Sequence, residues 1–522
     1  MTQKWTFGNP IKLTMSGGGY RAAAFHLGVL SYLDRAGILH ETDTISTVSG
    51  GTITGITYVL ALKKKRPFDT FFKKLYNSLA TTNVLSRGLA YLGKKSPHTL
   101  SGDYNLITSF AEVYNDCFTE NSLFGELWEG DDIHLHEIVF NATEFTTGLA
   151  YRFQKSASPR ARIGNARFAI PEECAKNIRM ADILAASTCY PGGCEPLAFP
   201  HDFVWPENEI PPALKEKFPV PLPLMDGGAY DNQGIDSAVL ADERSENKIG
   251  ALIISDVDRP NDDIYRFPKD RKKGFLSLSL LNILSFVLMV LLFLSSLALA
   301  GHYAVNLIHG AGAFLKDIFL FLIPSLVSFG SFWMLFWVRR KIIARLRESS
   351  PEIGASSWRD IKRITVDQFL DMAELRVTSI YALTSEILLK RIRRLVYSTV
   401  YRNSNYDNKR ISCLIYDLQR EGKRHVESWL EPSEKIKEVC RRASEMDTTL
   451  WFNKISDLRD VTACGQFTMC YNLLEFIIRG RRQGTFEAGG DIDRIFQNAK
   501  KDWEQLQEDP YVLLDAMLRE DI

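Results

Sequence analysis

The chain has 522 residues, room for two to four average domains or one large enzyme domain with insertions, and its composition gives no sign of disorder. Its 63 Lys and Arg balance 63 Asp and Glu, which removes any electrostatic case for a nucleic-acid binder. Eight cysteines without a repeated Cys-x-x-Cys unit, Cys189 with Cys194 and Cys464 with Cys470 included, fit no standard zinc spacing and read as reduced structural thiols.

Met1 to Lys12 lacks an apolar h-region, so a secretory signal is not expected and the soluble part is expected in a reducing, cytosolic setting. Ile11-Lys-Leu-Thr-Met15 predicts a short strand. Ser16-Gly-Gly-Gly-Tyr-Arg21 then opens an apolar helical stretch through Ala24, Leu27, Leu30 and Leu33 that stops near Gly37. Glycines at a strand-to-helix turn let backbone N–H groups point at one spot, which suits a phosphate or an oxyanion. Neither GxxxxGK[ST] nor a spaced GxGxxG is present, so the oxyanion reading is preferred. Arg21 either stiffens that loop or is a solvated charge.

Thr44-Ile-Ser-Thr-Val-Ser-Gly-Gly-Thr-Ile-Thr-Gly55 is a β-branched run that ends at Ser49 and two glycines, Gly50 and Gly51, before an apolar helix from Ile53 to Leu62. This is the pattern of a nucleophile elbow, with Thr47 where Gly-x-Ser-x-Gly would have its first glycine. The basic amphipathic stretch Lys63 to Lys95 places Phe68, Phe71, Phe72, Leu75, Tyr76 and Leu79 at helical spacing. It is either a helix packed on the core or a lid or membrane-contacting surface, the lid-like insertion running over about 63–130. Strands are expected at Glu137–Thr143, Leu149–Phe153 and Lys248–Ser255, and a helical run at Ile183–Ser187. Asp226 precedes Gly227-Gly228 at the end of an apolar segment, where side chains are commonly displayed. Strands alternating with helices and glycine turns argue for a mostly parallel α/β sheet.

Gly274 to Leu315 contains no Asp, Glu, Lys or Arg, and Phe275 to Ala300 is long enough to span a membrane. A second uncharged run, Ile318 to Val338, makes the pair a helical hairpin. Arg271, Lys272 and Lys273 precede it; Arg339, Arg340 and Lys341 follow, and the connection carries only His302 and His309. The positive-inside rule puts both flanks in the cytoplasm. Val366 to Tyr401 is helical in pattern, with the basic run Lys390 to Arg394 facing either anionic lipid or water. Ile411 to Tyr416 is one more expected strand, and the last hundred residues read as helical without evident chemistry.

A serine at an elbow, a glycine turn and a carboxylate at a later turn together supply the nucleophile, base and oxyanion donors of acyl transfer. A Ser-His-Asp triad competes, but none of the nine histidines stands in a glycine-framed turn, and His26 lies inside a helix as a packing residue. The motifs Gly17-Gly-Gly-Tyr-Arg21, Ser49-Gly-Gly51 and Asp226-Gly-Gly228, with the stretches Phe140 to Gly148 and Ala185 to Gly192, resemble the patatin-like phospholipase family. The resemblance covers residues 10–260 and is weaker over 355–480. It implies a three-layer sandwich on the mostly parallel sheet, interrupted by the hairpin: residues 1–270 and 346–522 would be catalytic, and 271–345 membrane-embedded.

The resemblance further implies a Ser-Asp dyad, with Ser49 as nucleophile and Asp226 as base. Gly17, Gly18 and Gly19 would line the oxyanion hole with Arg21 in support. No metal or cofactor is then required. The expected activity is cleavage of membrane phospholipid esters by a multi-pass protein whose catalytic domain is cytoplasmic. A non-catalytic scaffold or regulatory protein keeping the fold, an acyltransferase and a hydrolase of a non-phospholipid ester are the alternatives; an effector that degrades its own host's membrane falls within the leading reading, and a homo-oligomer is left open.

Overall fold

β-branched and apolar runs that end at glycine turns become the strands of one sheet in the computed structural model. It describes residues 10–96, 99–100, 102–130, 133–245, 249–258, 278–308, 366–420, 422–486 and 490–519, with isolated positions between 326 and 340. The strands are β1 (Ile11–Met15), β2 (Thr42–Val48), β3 (Glu137–Glu144), β4 (Leu149–Ser156), β5 (Ile163–Gly164), β6 (Ala169–Ile170), β7 (Leu197–Phe199), β8 (Leu222–Asp226), β9 (Ala251–Asp256) and β10 (Arg410–Leu414). The order is β10-β9-β1-β2-β3-β4-β5-β6, with β8 against β3 and β7. From β10 to β3 every pair is parallel; β3 with β4 and everything beyond is antiparallel. The α/β fold with a mostly parallel sheet is therefore as the sequence predicts.

Helix α1 (Gly19–Arg35) is buried from Gly19 to Leu33, because the sheet covers one side and the helix Ile455–Arg482 covers another. The two helices touch through glycine. A Cβ on Gly28 would lie 2.0 Å from Thr462 O, and one on Gly465 would lie 2.1 Å from Phe25 O. The last hundred residues thus close the core over α1. Helix α2 (Gly50–Lys63) follows β2, and α3 (Phe68–Thr81) follows it. The apolar stripe of α3, Phe71, Phe72, Leu75, Tyr76 and Leu79, is buried in the main core. At about 1.5–3 kcal/mol for each large side chain, that burial accounts for the amphipathic pattern. All eight cysteines are free.

The chain divides into two units, Met1–Asp262 with Leu388–Ile522, and Asp263–Ile387. The inserted unit is longer than 271–345 because hydropathy marks only its uncharged stretch, whereas the helix Val366–Tyr381 also belongs to it. Within that unit the helix Leu278–Ile308 has no acidic or basic residue other than His302, and Ile283, Phe286, Leu288, Leu291 and Phe293 are exposed on it. Judged on the described residues alone, no helix is long and apolar enough to cross a membrane. Most of the second expected span, Ile318 to Val338, lies outside the described residues.

Candidate active site

Ser49 sits one residue past β2 and caps α2 with φ 51° and ψ −120°. A side chain rarely adopts such a backbone, which costs on the order of 1–3 kcal/mol unless neighbours hold it. The restraint comes from Ser187, on the helix Met180–Thr188, whose Oγ accepts the Ser49 N–H at 2.9 Å. Ser187 donates its one hydroxyl proton to Asn141 O at 2.7 Å, so Thr52 Oγ1, 2.8 Å away, must donate to Ser187. Thr47 Oγ1, 3.0 Å from Thr52 Oγ1, then donates to Thr52. A one-way hydrogen-bond chain therefore underlies the elbow, and Thr47, the departure from the usual glycine, begins it. Room for its methyl comes from Gly55, where a Cβ would lie 2.6 Å from Thr47 Cγ2.

The elbow and the glycine loop lie backbone to backbone. A Cβ on Gly50 would stand 2.0 Å from Gly19 O, and one on Gly51 2.5 Å from Met15 O. Gly18 has φ +146°, which glycine alone takes without strain. The Gly17 N–H donates to Asn232 O at 3.0 Å, so Gly17 walls the site without a donor to offer. Gly18 N–H and Gly19 N–H have no backbone acceptor among the described residues. Arg21 is buried and its Nη1 donates to the carbonyls of Ser444 and Met446. Tyr20 N–H donates to Thr449 O at 2.8 Å. The chain near residue 449, which carries no sequence signal, thus fixes the loop from outside.

Asp226 reaches Ser49 through strand register. β2 pairs with Glu137–Asn141 of β3, and β8 pairs with Ala142–Glu144. β4 pairs with all of Glu137–Glu144, so it fills the other edge of β3. β2 and β8 therefore share one edge of β3 and run toward each other, Val48 opposite Asn141 and Asp226 opposite Ala142. The residue after Val48 is Ser49, so the register sets its hydroxyl beside the Asp226 side chain, where it favours the charged carboxylate. Burial holds the Asp226 carboxyl above the usual carboxylate range. The neighbouring Ser49 side chain, the 2.7 Å hydrogen bond from Gly228 N–H and the charge of Arg393 act in the opposite direction.

Arg393, on the helix Leu389–Tyr401, donates from Nε to Gly228 O at 2.7 Å and so grips the turn that carries Asp226. The basic run that reads from sequence as lipid-facing or solvated supplies this contact. Ser49, Asp226, Gly17, Gly18, Gly19 and Arg21 line one cavity of about 330 Å³. Leu85, Leu106, Phe110, Leu450 and Trp451 give it an apolar wall. Gly50 and Gly51 lie behind Ser49, packed on the glycine loop as described above. His26 is elsewhere: Nε2 donates to Ser16 O at 2.9 Å, and Nδ1 accepts from Ser255 Oγ at 2.7 Å. Burial pushes it down to about 4, so it braces the loop as a neutral ring. Among the described residues no group of three or more His, Cys, Asp or Glu is placed to hold a metal ion.

Sequence reading did not assign roles to Asn141, Ser187, Asn232, Arg393 or Thr449. Asn141 and Ser187 stand in the two stretches that carry the family resemblance, which was the available signal.

A serine on a strained strand-to-helix turn, set against a buried carboxylate beside a glycine loop, defines a hydrolase-type α/β domain. Residues 13–239 match the family model of the patatin-like phospholipases, and the chain carries a patatin-like phospholipase domain, that of a lipid acyl hydrolase. No curated protein matches the chain.

Proposed function

We propose that this protein is a membrane-anchored lipid acyl hydrolase of the phospholipase A or lysophospholipase type, working through a dyad of Ser49 and Asp226. The observation that carries the reading is the strand register that brings Ser49 and Asp226 together in one cavity with an apolar wall. Asp226 takes the Ser49 proton as Oγ attacks the ester carbonyl. Gly18 and Gly19 N–H groups receive the oxyanion. Collapse of the tetrahedral intermediate breaks the ester C–O bond; the alcohol leaves with the proton held by Asp226, and the acyl group stays on Ser49. Asp226 then deprotonates a water, which attacks the acyl-enzyme, and the fatty acid departs as Ser49 regains its proton.

The membrane anchor is supported by the sequence, whose uncharged runs Phe275 to Ala300 and Ile318 to Val338 have the length and apolarity of spans. The basic flanks argue for a cytoplasmic catalytic domain. Fatty-acid release from liposomes by the purified full chain tests the chemistry, with Ser49→Ala and Asp226→Ala alongside. Equal release by wild type and Ser49→Ala would rule the dyad out. Labelling of a single cysteine introduced near Tyr303 tests the topology, and labelling only from the cytoplasmic side would reverse the orientation.

A further inference from the structure

Next to the catalytic cavity lies a second one of about 410 Å³. Asp256 and Leu414, the last residues of β9 and β10, and Asp258 and Tyr416 just beyond them line it. It therefore opens outside the carboxyl ends of two neighbouring parallel strands, where α/β sheets commonly bind ligands. Its opposite wall is one face of the helix Leu389–Tyr401. Lys390, Arg393, Arg394 and Tyr397 fall at i, i+3, i+4 and i+7, and Arg402 follows at the rim. Arg393 and Asp258 line both cavities.

The charges in this second cavity are unequal, four basic side chains against Asp256 and Asp258. Asp258 lies 3.8 Å from Arg393 Nη1. Asp256 accepts from Gln233 Nε2 at 2.5 Å and from Asp258 N–H at 3.0 Å. Burial and the charge of Asp258 push Asp256 up to about 6, which further weakens the negative side. The Tyr397 hydroxyl is buried and has no hydrogen-bond partner among the described residues. An unused hydroxyl donor among arginines is a set suited to phosphate oxygens, since guanidinium groups present forked donors and tolerate partial desolvation. The two cavities thus divide the polarity of a lipid, one apolar around the nucleophile and one cationic beside it.

We propose that the second cavity holds the phosphate of the substrate's head group while the apolar wall of the first holds the acyl chain. The substrate class is then a phosphate-bearing acyl lipid rather than a neutral glyceride. This assignment rests on the acyl-hydrolase reading. The ester and phosphate of a glycerophospholipid share one glycerol backbone, and Arg393 stands at the junction that such a molecule would cross.

The test compares kcat/KM of the full-length protein on a diacyl phospholipid and on a neutral diacylglycerol, both in detergent micelles. Arg394→Gln with Arg402→Gln changes two exposed side chains. The expected result is a fall of about tenfold or more in the ratio of phospholipid to neutral-lipid kcat/KM, carried mainly by KM, with Arg394→Lys and Arg402→Lys restoring most of it. An unmoved ratio, whether both rates hold or both fall together, overturns the assignment. Inorganic phosphate is the second arm. If it inhibits wild type at millimolar concentration and the double Gln variant escapes, while the lipid ratio stays put, the cavity serves a free anion and the head-group assignment fails. Turnover of neither lipid by wild type overturns the acyl-hydrolase reading itself, and this assignment with it.

Discussion

Ser187→Ala should damage both the stability and the activity of this protein although residue 187 is placed in no catalytic step. Its hydroxyl is fully buried, accepts from Ser49 N–H and Thr52 Oγ1, and donates to Asn141 O. Thr52 can rotate its proton to another acceptor, but the Ser49 N–H and the Asn141 carbonyl each lose a partner in a dry place. Leaving a buried polar group unsatisfied costs about 1–3 kcal/mol, so the pair gives roughly 2–6 kcal/mol. The same loss frees Ser49 from the contact that holds its φ of 51°, and relaxation there displaces the nucleophile. A displacement on the order of 1 Å costs about 10²-fold in rate. The assay is the guanidinium midpoint at constant m, with kcat for ester hydrolysis. Thr57→Ala is the control, since its hydroxyl only returns to carbonyls of its own helix. A Ser187→Ala protein within about 0.5 kcal/mol of wild type and within twofold in kcat would refute the claim that this chain of hydroxyls supports the elbow.

Asp226→Asn should abolish ester hydrolysis by at least about 10³-fold while leaving the unfolding midpoint unchanged or raised, because it removes a buried charge; intact turnover would remove Asp226 from the mechanism. On the proposed mechanism Asp226 must be ionised, and burial holds its pKa above the usual carboxylate range. The kcat/KM profile should therefore fall as pH drops through that raised value, and an acid limb at the ordinary carboxylate value of about 4 would contradict this. Arg393→Gln withdraws a positive charge beside Asp226 and the grip on Gly228 O, so the acid limb should move to higher pH as kcat drops; a lower rate with an unshifted limb would leave only the structural role. Gly50→Ala places a methyl 2.0 Å from Gly19 O and should prevent expression of active protein, whereas Gly37→Ala meets nothing within 4 Å and should cost only about 1 kcal/mol for its positive φ, read from thermal unfolding.

Much of the first unit was legible because its signals are local. Strand β1 ends where Met15 meets Ser16-Gly-Gly-Gly, β2 ends where Val48 meets Ser-Gly-Gly, and both helices begin at those glycines. The stripe of α3 shows the limit of such reading: the same 3.6-residue pattern serves a lid or a core helix, and only the burial of Phe72 and Leu79 separates them. What stayed hidden is non-local. Nothing in the sequence around Asp226 says that β8 enters antiparallel on the same edge of β3 as β2, beside the stretch Ala142–Glu144 that β2 leaves unpaired, which is what brings residues 49 and 226 together. Arg393 lies in a run whose composition fits a surface helix, and its bond to Gly228 O joins positions 165 residues apart. The hold of Thr449 on Tyr20 spans the chain in the same way.

The edge shared by β2 and β8 also bears on why a carboxylate can serve where an imidazole is more common. A solvated aspartate is a weak base toward a serine hydroxyl, because its pKa lies near 4, far below that of an alcohol. Burial narrows that gap by disfavouring the charged form, and in excess it would leave the group protonated and useless as a base. At Asp226 the excess is checked by donors and charge from other elements: Ser49 from the elbow, Gly228 N–H from its own turn and Arg393 from the helix Leu389–Tyr401. His26 shows the alternative that the fold does not use, a ring buried so deeply under the glycine loop that it is pushed down to about 4 and both its nitrogens are engaged. On the proposed mechanism a single carboxylate must accept a proton from Ser49 and later one from water. Strength as a base and readiness to ionise must therefore be balanced at one group, and Arg393 is the side chain through which a change outside the elbow would alter that balance.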